Sequence, residues 1–128
     1  MAYSKSLVWF RRDLRDFDHA ALYHALKTSK QVYCVFVFDT LILDKLENKQ
    51  DRRVEFIWES IRELKIALQS RGGDLIVKHG KTIDIVAKLA IELDVKAVFT
   101  NREYEPSELQ RDEKVAQQVL KSDIEFHD

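Results

Sequence analysis

The sequence predicts an α/β fold, an open doubly wound sheet of five parallel strands in the order 3-2-1-4-5. Two observations lead to this prediction. Short runs of β-branched and aromatic residues alternate along the whole chain with stretches of 3.6-residue periodicity. The short runs are continuously apolar, which is typical of parallel strands that are covered by helices on both faces. The 128 residues suit one domain, so we expect residues 1–128 to fold as a single unit.

Five apolar runs are predicted to be strands. They are Ser6–Phe10, Gln31–Asp39, Asp74–Lys78, Ala97–Thr100 and Ile124–His127. The second run is the most apolar, and we expect Val35 and Val37 in it to be among the most buried residues.

Four amphipathic segments between these runs are predicted to be helices. Asp18 and Asp51 are candidate N-caps of the first two, Gly72-Gly73 ends the second, Thr82 opens the third, and Pro106 suits the first turn of the fourth. The expected core stripes are Ala21, Leu22, Ala25 and Leu26; Val54, Ile57, Trp58, Ile61, Leu64 and Leu68; Ile85, Val86, Leu89, Ala90 and Leu93; and Leu109, Ala116, Val119 and Leu120. Residues 40–50 fit either a short helix or an ordered loop. The alternation as a whole predicts a Rossmann-like three-layer sandwich.

Composition and charge exclude several classes of protein. With 45% apolar and 34% charged residues, the chain is neither disordered nor of low complexity. Its net charge of −1 argues against strong DNA binding by this domain alone, since such binding depends on a basic excess. No apolar run approaches a membrane span and no secretory signal opens the chain, so we expect a cytoplasmic protein without a membrane partner.

The sequence lacks the usual catalytic and cofactor motifs. Phe10-Arg11-Arg12-Asp13 follows the first strand in place of a Gly-x-Gly-x-x-Gly fingerprint, and no P-loop or nucleophile elbow is present. The four histidines and Cys34 have no metal-ligand spacing, and we interpret Cys34 as a buried, inert thiol. We therefore expect no catalytic residue and no metal site in these 128 residues.

Two polar loops are predicted to meet where the strand order reverses, between strands 1 and 4. They are residues 11–16 and residues 101–108. One interpretation is a salt-bridged surface, with Asp13 paired to an arginine and with Ser107 and Gln110 forming a capping box. The other is that the carboxylates accept hydrogen bonds from a flat heterocycle, with Arg53 beside its ring.

These loops resemble the signatures of the DNA photolyase/cryptochrome family. Val8-Trp9-Phe10-Arg11-Arg12-Asp13-Leu14-Arg15 is similar to the family's opening motif, and Asn101-Arg102-Glu103-Tyr104-Glu105-Pro106, followed by Arg111-Asp112, is similar to its second motif. The resemblance extends over all 128 residues. His19 departs from it, because the family usually has Asn there, at a position that concerns helix capping.

The resemblance implies the N-terminal α/β domain of a deoxyribodipyrimidine photolyase, a flavoprotein lyase that repairs DNA. In the family a longer helical domain follows, which holds FAD, the tryptophan electron-transfer chain and the pocket for damaged DNA. Trp9 and Trp58 are then core or ligand-wall residues, and the partners of this chain are the helical domain and, through it, damaged DNA. Without that domain we expect no repair activity.

The resemblance also implies that the α/β domain holds a light-harvesting antenna pigment. Glu108, with Ser107 beside it, matches the carboxylate position that holds methenyltetrahydrofolate in folate-type members. Arg53, Glu103 and Glu105 match positions that line 8-hydroxy-5-deazaflavin in the other type. Both pigments stay open. Because part of the folate pocket comes from the helical domain, we expect these 128 residues alone to hold little pigment.

Two further hypotheses stay open. The same domain also occurs in cryptochromes, which are signalling photoreceptors without repair activity. A nucleotide-binding domain of the universal-stress type has the same topology, but it needs a glycine-rich loop after strand 4, and residues 101–108 contain no glycine.

Overall fold

A computed structural model gives the fold of the chain. The residues that it describes are 3–11, 14, 19–39, 52–70, 73–101 and 106–128, with the side chains of 39, 52–56, 107 and 108 outside the description. Residues 40–50, which were predicted to form either a short helix or an ordered loop, lie outside the described residues.

Among the described residues, strands and helices alternate along the chain. They are β1 (Tyr3–Phe10), α1 (Ala20–Thr28), β2 (Ser29–Asp39), α2 (Arg52–Ser70), β3 (Ile76–Gly80), α3 (Thr82–Glu92), β4 (Ala97–Phe99), α4 (Pro106–Leu120) and β5 (Glu125–His127). The five strands form one sheet in the order β3-β2-β1-β4-β5, and every neighbouring pair is parallel. In the centre, Val8 of β1 lies between Cys34 of β2 and Phe99 of β4. The predicted fold and strand order are confirmed.

Each face of the sheet carries its own hydrophobic layer. Alternate strand residues point to opposite faces, so Val8 and Phe10 belong to one layer while Leu7 and Trp9 belong to the other. The first layer is completed by apolar residues of α1 and α2, and the second by those of α3 and α4. Because both faces are covered, residues 6–10 are buried without a break, which explains the continuous apolar runs.

Some expectations about the core are confirmed and others are wrong. Val35 is fully buried, and Val37, at 7% exposure, is buried less completely. Leu26, Trp58 and Leu120 were expected in the core, but all three are exposed. Each directly follows a core-facing residue of its helix, and a step of about 100° carries it out of the buried stripe. The predicted third strand also lies two residues too early, since β3 is Ile76–Gly80.

The N-cap of α1 differs from the prediction. The cap is His19 instead of Asp18, and its Nδ1 accepts a hydrogen bond of 3.1 Å from the backbone N–H of Leu22. The ring is buried, and its centroid lies 4.6 Å from that of Phe10. A neutral imidazole can act as the acceptor that a cap requires, and the buried position of the ring favours it over Asp18.

The connections from α3 to β4 and from α4 to β5 repeat one local structure. Val95 donates its N–H to the carbonyl of Ala90, and Ile124 donates to that of Val119. The residues just before them, Asp94 and Asp123, have φ angles of 55° and 59°. This is the Schellman arrangement, which ends a helix at a left-handed residue and usually places glycine there.

Two kinds of feature do not occur in the described part of the chain, namely a membrane-crossing helix and a cluster of metal ligands. Among these residues no helix has both the length and the apolar character to cross a membrane. Within the same ranges, no three His, Cys, Asp or Glu side chains come together in a way that could hold a metal ion.

Candidate functional site

The structure describes the predicted site residues only in part. Arg53 lies in the first turn of α2, and Ser107 and Glu108 lie in the first turn of α4, but their side chains are outside the described residues. Glu103 and Glu105 lie outside the described residues altogether, as does Asp13. The contacts predicted for these five site residues therefore stay predictions.

A buried ion pair joins the two predicted loops. Arg11 follows β1, and its Nη1 lies 2.6 and 2.5 Å from the two carboxylate oxygens of Asp112 in α4. Both side chains are almost fully buried, at 6% and 4% exposure. The Nη2 of Arg11 donates to the backbone carbonyl of Asn101, just after β4. One guanidinium thus connects β1, β4 and α4, and it joins the two motifs that carried the family resemblance.

Trp9 lies under this pair. The guanidinium carbon of Arg11 is 4.8 Å from the centre of its ring system, and that of Arg111 is 5.5 Å away. The indole is 2% exposed. The carbonyl of Trp9 accepts a 2.9 Å hydrogen bond from the hydroxyl of Thr100. Trp9 is therefore a core residue with cations on its ring, as cation–π attraction favours.

The first turn of α1 is held by side chains of the protein itself. The Oδ1 of Asn101 accepts a 3.0 Å hydrogen bond from the N–H of Ala21, and His19 accepts from that of Leu22. In dinucleotide-binding domains these amides of the first helix bind the pyrophosphate. Here two of them are occupied from within, which agrees with the lack of a glycine-rich fingerprint.

The two interpretations of the polar loops can now be compared at the described residues. Arg11 donates to both Asp112 and the carbonyl of Asn101, so the arginine is paired with a carboxylate as the salt-bridged interpretation expects. Its partner is Asp112, and the proposed Asp13 lies outside the described residues. The sequence analysis named Asp112 in the second family motif but did not predict it as the partner of Arg11. A signal for it existed, because Asp112 lies on one helical stripe with the buried residues Val115 and Val119.

A fragment of a phosphate-binding motif lies at the end of β3. Gly80-Lys81-Thr82 repeat the last three positions of a P-loop, so the expectation that no glycine of the chain precedes a Lys-Ser/Thr pair was wrong. The first glycine of that motif would fall at residue 75, where Leu75 is buried in the core. Thr82 is 3% exposed. The fragment is therefore an incomplete motif, and Gly80, with a φ of 147°, ends the strand.

An open cavity of about 530 Å³ lies beside the switch point. Its lining comes from α1 and from the ends of β4 and β5, with Tyr3 at one side. The rings of Phe99 and His127 stack at 4.9 Å, and the hydroxyl of Tyr3 lies 3.0 Å from Nε2 of His127. Burial raises the pKa of Tyr3, and the hydrogen bond and charge of Glu125 raise it further.

Cys34 lies in β2 and is buried. Burial raises the pKa of its thiol to about 12. The thiol is thus protonated at neutral pH, and a protonated thiol is a poor nucleophile. The prediction that Cys34 is a buried core residue is confirmed.

The family model that describes DNA photolyases matches residues 6–128 of this chain. The chain belongs to the DNA photolyase family. Its relatives include both a protein named as a photoreceptor and one named as a photo-lyase. The chain is 32% identical over 124 residues to the blue-light photoreceptor PHR2 of Arabidopsis thaliana, which covers 94% of the chain and 28% of that protein. It is 33% identical over 110 residues to a deoxyribodipyrimidine photo-lyase of Synechococcus, which covers 86% of the chain and 22% of that protein.

Solved structures agree with this photolyase assignment. An archaeal photolyase from Sulfolobus tokodaii with two FAD molecules superimposes with a TM-score of 0.83 at 31% identity, over 96% of this chain and 28% of that one. A Synechocystis cryptochrome superimposes with a TM-score of 0.89 at 27% identity, over 97% of this chain and 26% of that one. This photolyase-family chain thus spans about a quarter of the length of these proteins.

Proposed function

We propose that this chain is the antenna domain of a DNA photolyase that repairs cyclobutane pyrimidine dimers under near-UV or blue light. The observation that carries the proposal is the Arg11–Asp112 pair, because it joins both family motifs at the edge of the sheet where ligands bind in doubly wound folds. The Sulfolobus photolyase, which superimposes on 96% of this chain, contains two FAD molecules and is associated with a novel light-harvesting cofactor. It supports a pigment in this domain.

The donor set at this edge fits a flat heterocyclic pigment. Glu103, Glu105 and Glu108 supply carboxylates that accept from ring N–H groups. Arg53 supplies a planar cation that stacks on a ring or binds its carbonyl oxygens. When bound, the pigment supplies absorption of near-UV or blue light. The residues of this chain bind the ring and fix its orientation.

A second candidate is the same domain in a cryptochrome photoreceptor. Relatives of similar identity favour it, since the chain is 34% identical over 107 residues to a cryptochrome DASH of Gloeobacter violaceus and 32% identical to the photoreceptor PHR2. The universal-stress alternative is set aside, because the chain belongs to the photolyase family.

Titration of the chain with each pigment tests the proposal. We expect methenyltetrahydrofolate or 8-hydroxy-5-deazaflavin to bind with a Kd of about 0.1 to 1 mM, because a ring with one face in water loses part of its burial energy. Absorbance and fluorescence at equilibrium measure the binding. No binding of either pigment, nor of FMN or FAD, at millimolar concentration would contradict the proposal.

Two substitutions identify the pigment. Glu108→Gln lowers affinity for the folate, because an amide places a donor where a second acceptor is needed. Arg53→Ala lowers affinity for the deazaflavin. Glu113→Gln and Arg62→Ala are matched controls, since both residues are exposed on the same two helices. If neither Glu108→Gln nor Arg53→Ala weakens the binding of either pigment, the assignment of the site residues is wrong.

An assay for DNA repair tests whether repair activity requires the helical domain. The purified 128 residues are expected to leave thymine dimers unrepaired under blue light, because the electron for repair comes from reduced FAD in the helical domain of the family. Light-dependent repair by these residues alone would overturn this part of the proposal.

A further inference from the structure

We propose that the open cavity between α1 and the ends of β4 and β5 binds a flat heteroaromatic ring that carries an amino group, as adenine does. This α1 cavity has a volume of about 530 Å³ and includes Tyr3 at one side. The site is independent of the proposed function, because it is built from other residues than those proposed to hold the pigment.

Three aromatic rings form one wall of the α1 cavity. Phe99 of β4 is buried, and the imidazole of His127 on the neighbouring strand stacks on its ring, with 4.9 Å between the centroids and 21° between the planes. The ring of Tyr3 meets that of Phe99 edge-on at 6.0 Å. His127 is itself exposed, so the ring of a ligand can stack on the imidazole.

The size and the lining of the α1 cavity suit a small, flat molecule. Small-molecule sites have volumes of roughly 300–1,000 Å³, and the α1 cavity lies within this range. On the helix side the lining includes the small side chains of Ala20 and Ala21, which leave space for a ring against the helix.

The hydrogen bonds of Tyr3 assign the tautomer of His127. The phenol hydroxyl lies 3.0 Å from Nε2 of His127 and is also hydrogen-bonded to the carboxylate of Glu125. Because a carboxylate only accepts, the phenol donates its one proton to Glu125, and its oxygen accepts from the N–H at Nε2. A neutral imidazole with its proton on Nε2 presents Nδ1 as an acceptor. His127 therefore offers a ligand both a ring face and an acceptor.

Other groups in the lining are acceptors as well. The hydroxyl of Thr28 donates its proton to the carbonyl of His24 at 2.7 Å, so toward a ligand it can only accept. The carboxylate of Asp128 adds acceptor oxygens, while the imidazole of His24 can serve in either role. The ligand must therefore supply N–H donors at the rim of its ring, which an amino group does and a ring carbonyl does not.

The α1 cavity does not suit a phosphate group. Phosphates bind at the free N–H groups of a helix N-terminus or to basic side chains. At the start of α1 the amides of Ala21 and Leu22 already donate to Asn101 and His19. Lysine and arginine are both missing from the described lining, whereas Asp128 is present. The ligand class is thus an uncharged amino-heterocycle, such as a nucleoside, and not a nucleotide.

Adenosine and inosine are a matched pair of probes for this site. They have the same size, but inosine has a carbonyl oxygen in place of the amino group of adenosine. With the 128-residue chain we expect adenosine to bind with a Kd of about 0.1–1 mM and inosine to bind at least about fivefold more weakly, since its carbonyl would face acceptors. The phosphate of AMP should give no gain. Equal affinities for adenosine and inosine, or tighter binding of AMP, would overturn the ligand class.

Amide signals of the ¹⁵N-labelled chain show where adenosine binds. The signals of Tyr3, Ala21, Thr28, Thr100 and His127 should move as adenosine is added, and those of α3 should stay in place. No shift at millimolar adenosine, or shifts only outside the α1 cavity, would contradict the proposed site.

The variant His127→Phe separates the acceptor from the ring. Phenylalanine can still stack on Phe99, but it has no Nδ1. We expect the affinity for adenosine to fall about fivefold, to the level of inosine, while the affinity for inosine changes less than about twofold. A purely structural role of His127 would weaken both nucleosides alike, and that result would contradict the proposal.

The variant Ala20→Trp tests the position of the site. Ala20 is exposed at the start of α1 and lines the α1 cavity, so the larger ring occupies the space of the ligand without entering the core. We expect the affinity for adenosine to fall at least about tenfold. The control Leu26→Trp adds the same ring at an exposed position of the same helix and should leave the affinity unchanged. A folded Ala20→Trp variant with natural affinity would overturn the site, and the His127→Phe comparison decides it even where Ala20→Trp does not fold.

Discussion

The two edges of the sheet connect strands to helices in different ways. At the amino edge, Asp94 and Asp123 occupy the same left-handed position after α3 and α4, and the hydrogen bonds come from residues within the preceding turn. At the carboxyl edge the partners are far apart in sequence, as in Arg11 with Asp112 and Asn101 with Ala21. The two helix ends at the amino edge are thus closed by local backbone contacts, whereas the carboxyl edge includes side-chain contacts between residues far apart in sequence.

The difference also extends to burial. Asp94 and Asp123 are exposed, whereas Arg11 and Asp112 are among the buried charged residues. A buried charge is costly without a partner, so each contact at the carboxyl edge restricts its neighbours. This contrast agrees with the proposal that a ligand binds at the carboxyl edge.

Removal of one partner of the buried pair should have the largest effect. Arg11→Met leaves the Asp112 carboxylate buried without its cation, and we expect a loss of about 3–5 kcal/mol in the free energy of unfolding. At the amino edge, Lys96→Met removes an exposed pair with Asp94 of 3.3 Å, and the loss should stay below about 1 kcal/mol. Chemical denaturation of both variants checks the comparison, and equal losses would refute it.

The cap of α1 should give the next largest effect. His19→Ala removes the acceptor for Leu22 and the ring that packs on Phe10, so we expect a loss of about 1 kcal/mol from the cap plus a further loss from packing. His19→Asn keeps an acceptor and should recover most of the cap contribution. Thermal unfolding of the two variants measures the contribution of the cap to stability. A His19→Asn protein that is no more stable than His19→Ala would show that the cap contributes little.

Substitution at the amino edge should stabilise the protein. Glycine adopts positive φ without strain, so Asp94→Gly and Asp123→Gly should each add a few tenths to about 1 kcal/mol. The gain is reduced by the greater freedom of glycine in the unfolded chain. Denaturation midpoints of the two variants measure the change in stability. Destabilisation by both substitutions would mean that the aspartate side chains stabilise these helix ends more than glycine does at a positive φ.

The smallest effect concerns an exposed carboxylate. The hydrogen bond from Lys65, followed by that from the N–H of Leu75, lowers the pKa of Asp74 below its ordinary value of 3.8. Its contribution to stability is therefore complete above that value and is lost as the pH falls through the lower folded value. Asp74→Asn should cause a slight loss at neutral pH that disappears in acid, which unfolding curves at several pH values would show. A loss independent of pH would contradict the assignment.

Local signals in the sequence were sufficient for the fold. The continuous apolar runs and the helical stripes predicted all five strands and their order, because burial on both faces leaves a clear pattern. The predictions failed at residues on the border of a helix's buried face. Trp58, for example, was predicted in the core but is exposed, because the period of the sequence does not give the width of the buried face.

The candidate site was harder to predict than the fold. The two loops were predicted to meet, but the pairing of Arg11 with Asp112 depends on the rotation of α4, which the sequence does not state. His19 was noted as a departure from the family at a position for helix capping, and the structure shows it as the cap. The long-range contacts needed coordinates, and among the local ones the cap of α1 was predicted at Asp18, one residue before the observed cap His19.

The most direct test of the account is to map pigment binding on the two edges by NMR. With the chain labelled with ¹⁵N, addition of methenyltetrahydrofolate or 8-hydroxy-5-deazaflavin should shift the amide signals of residues 101–112 and of the first turn of α2. The signals of Asp94, Lys96 and Asp123 at the amino edge should stay in place. Shifts at the amino edge, or only around the cavity lined by Tyr3 and His127, would contradict the account.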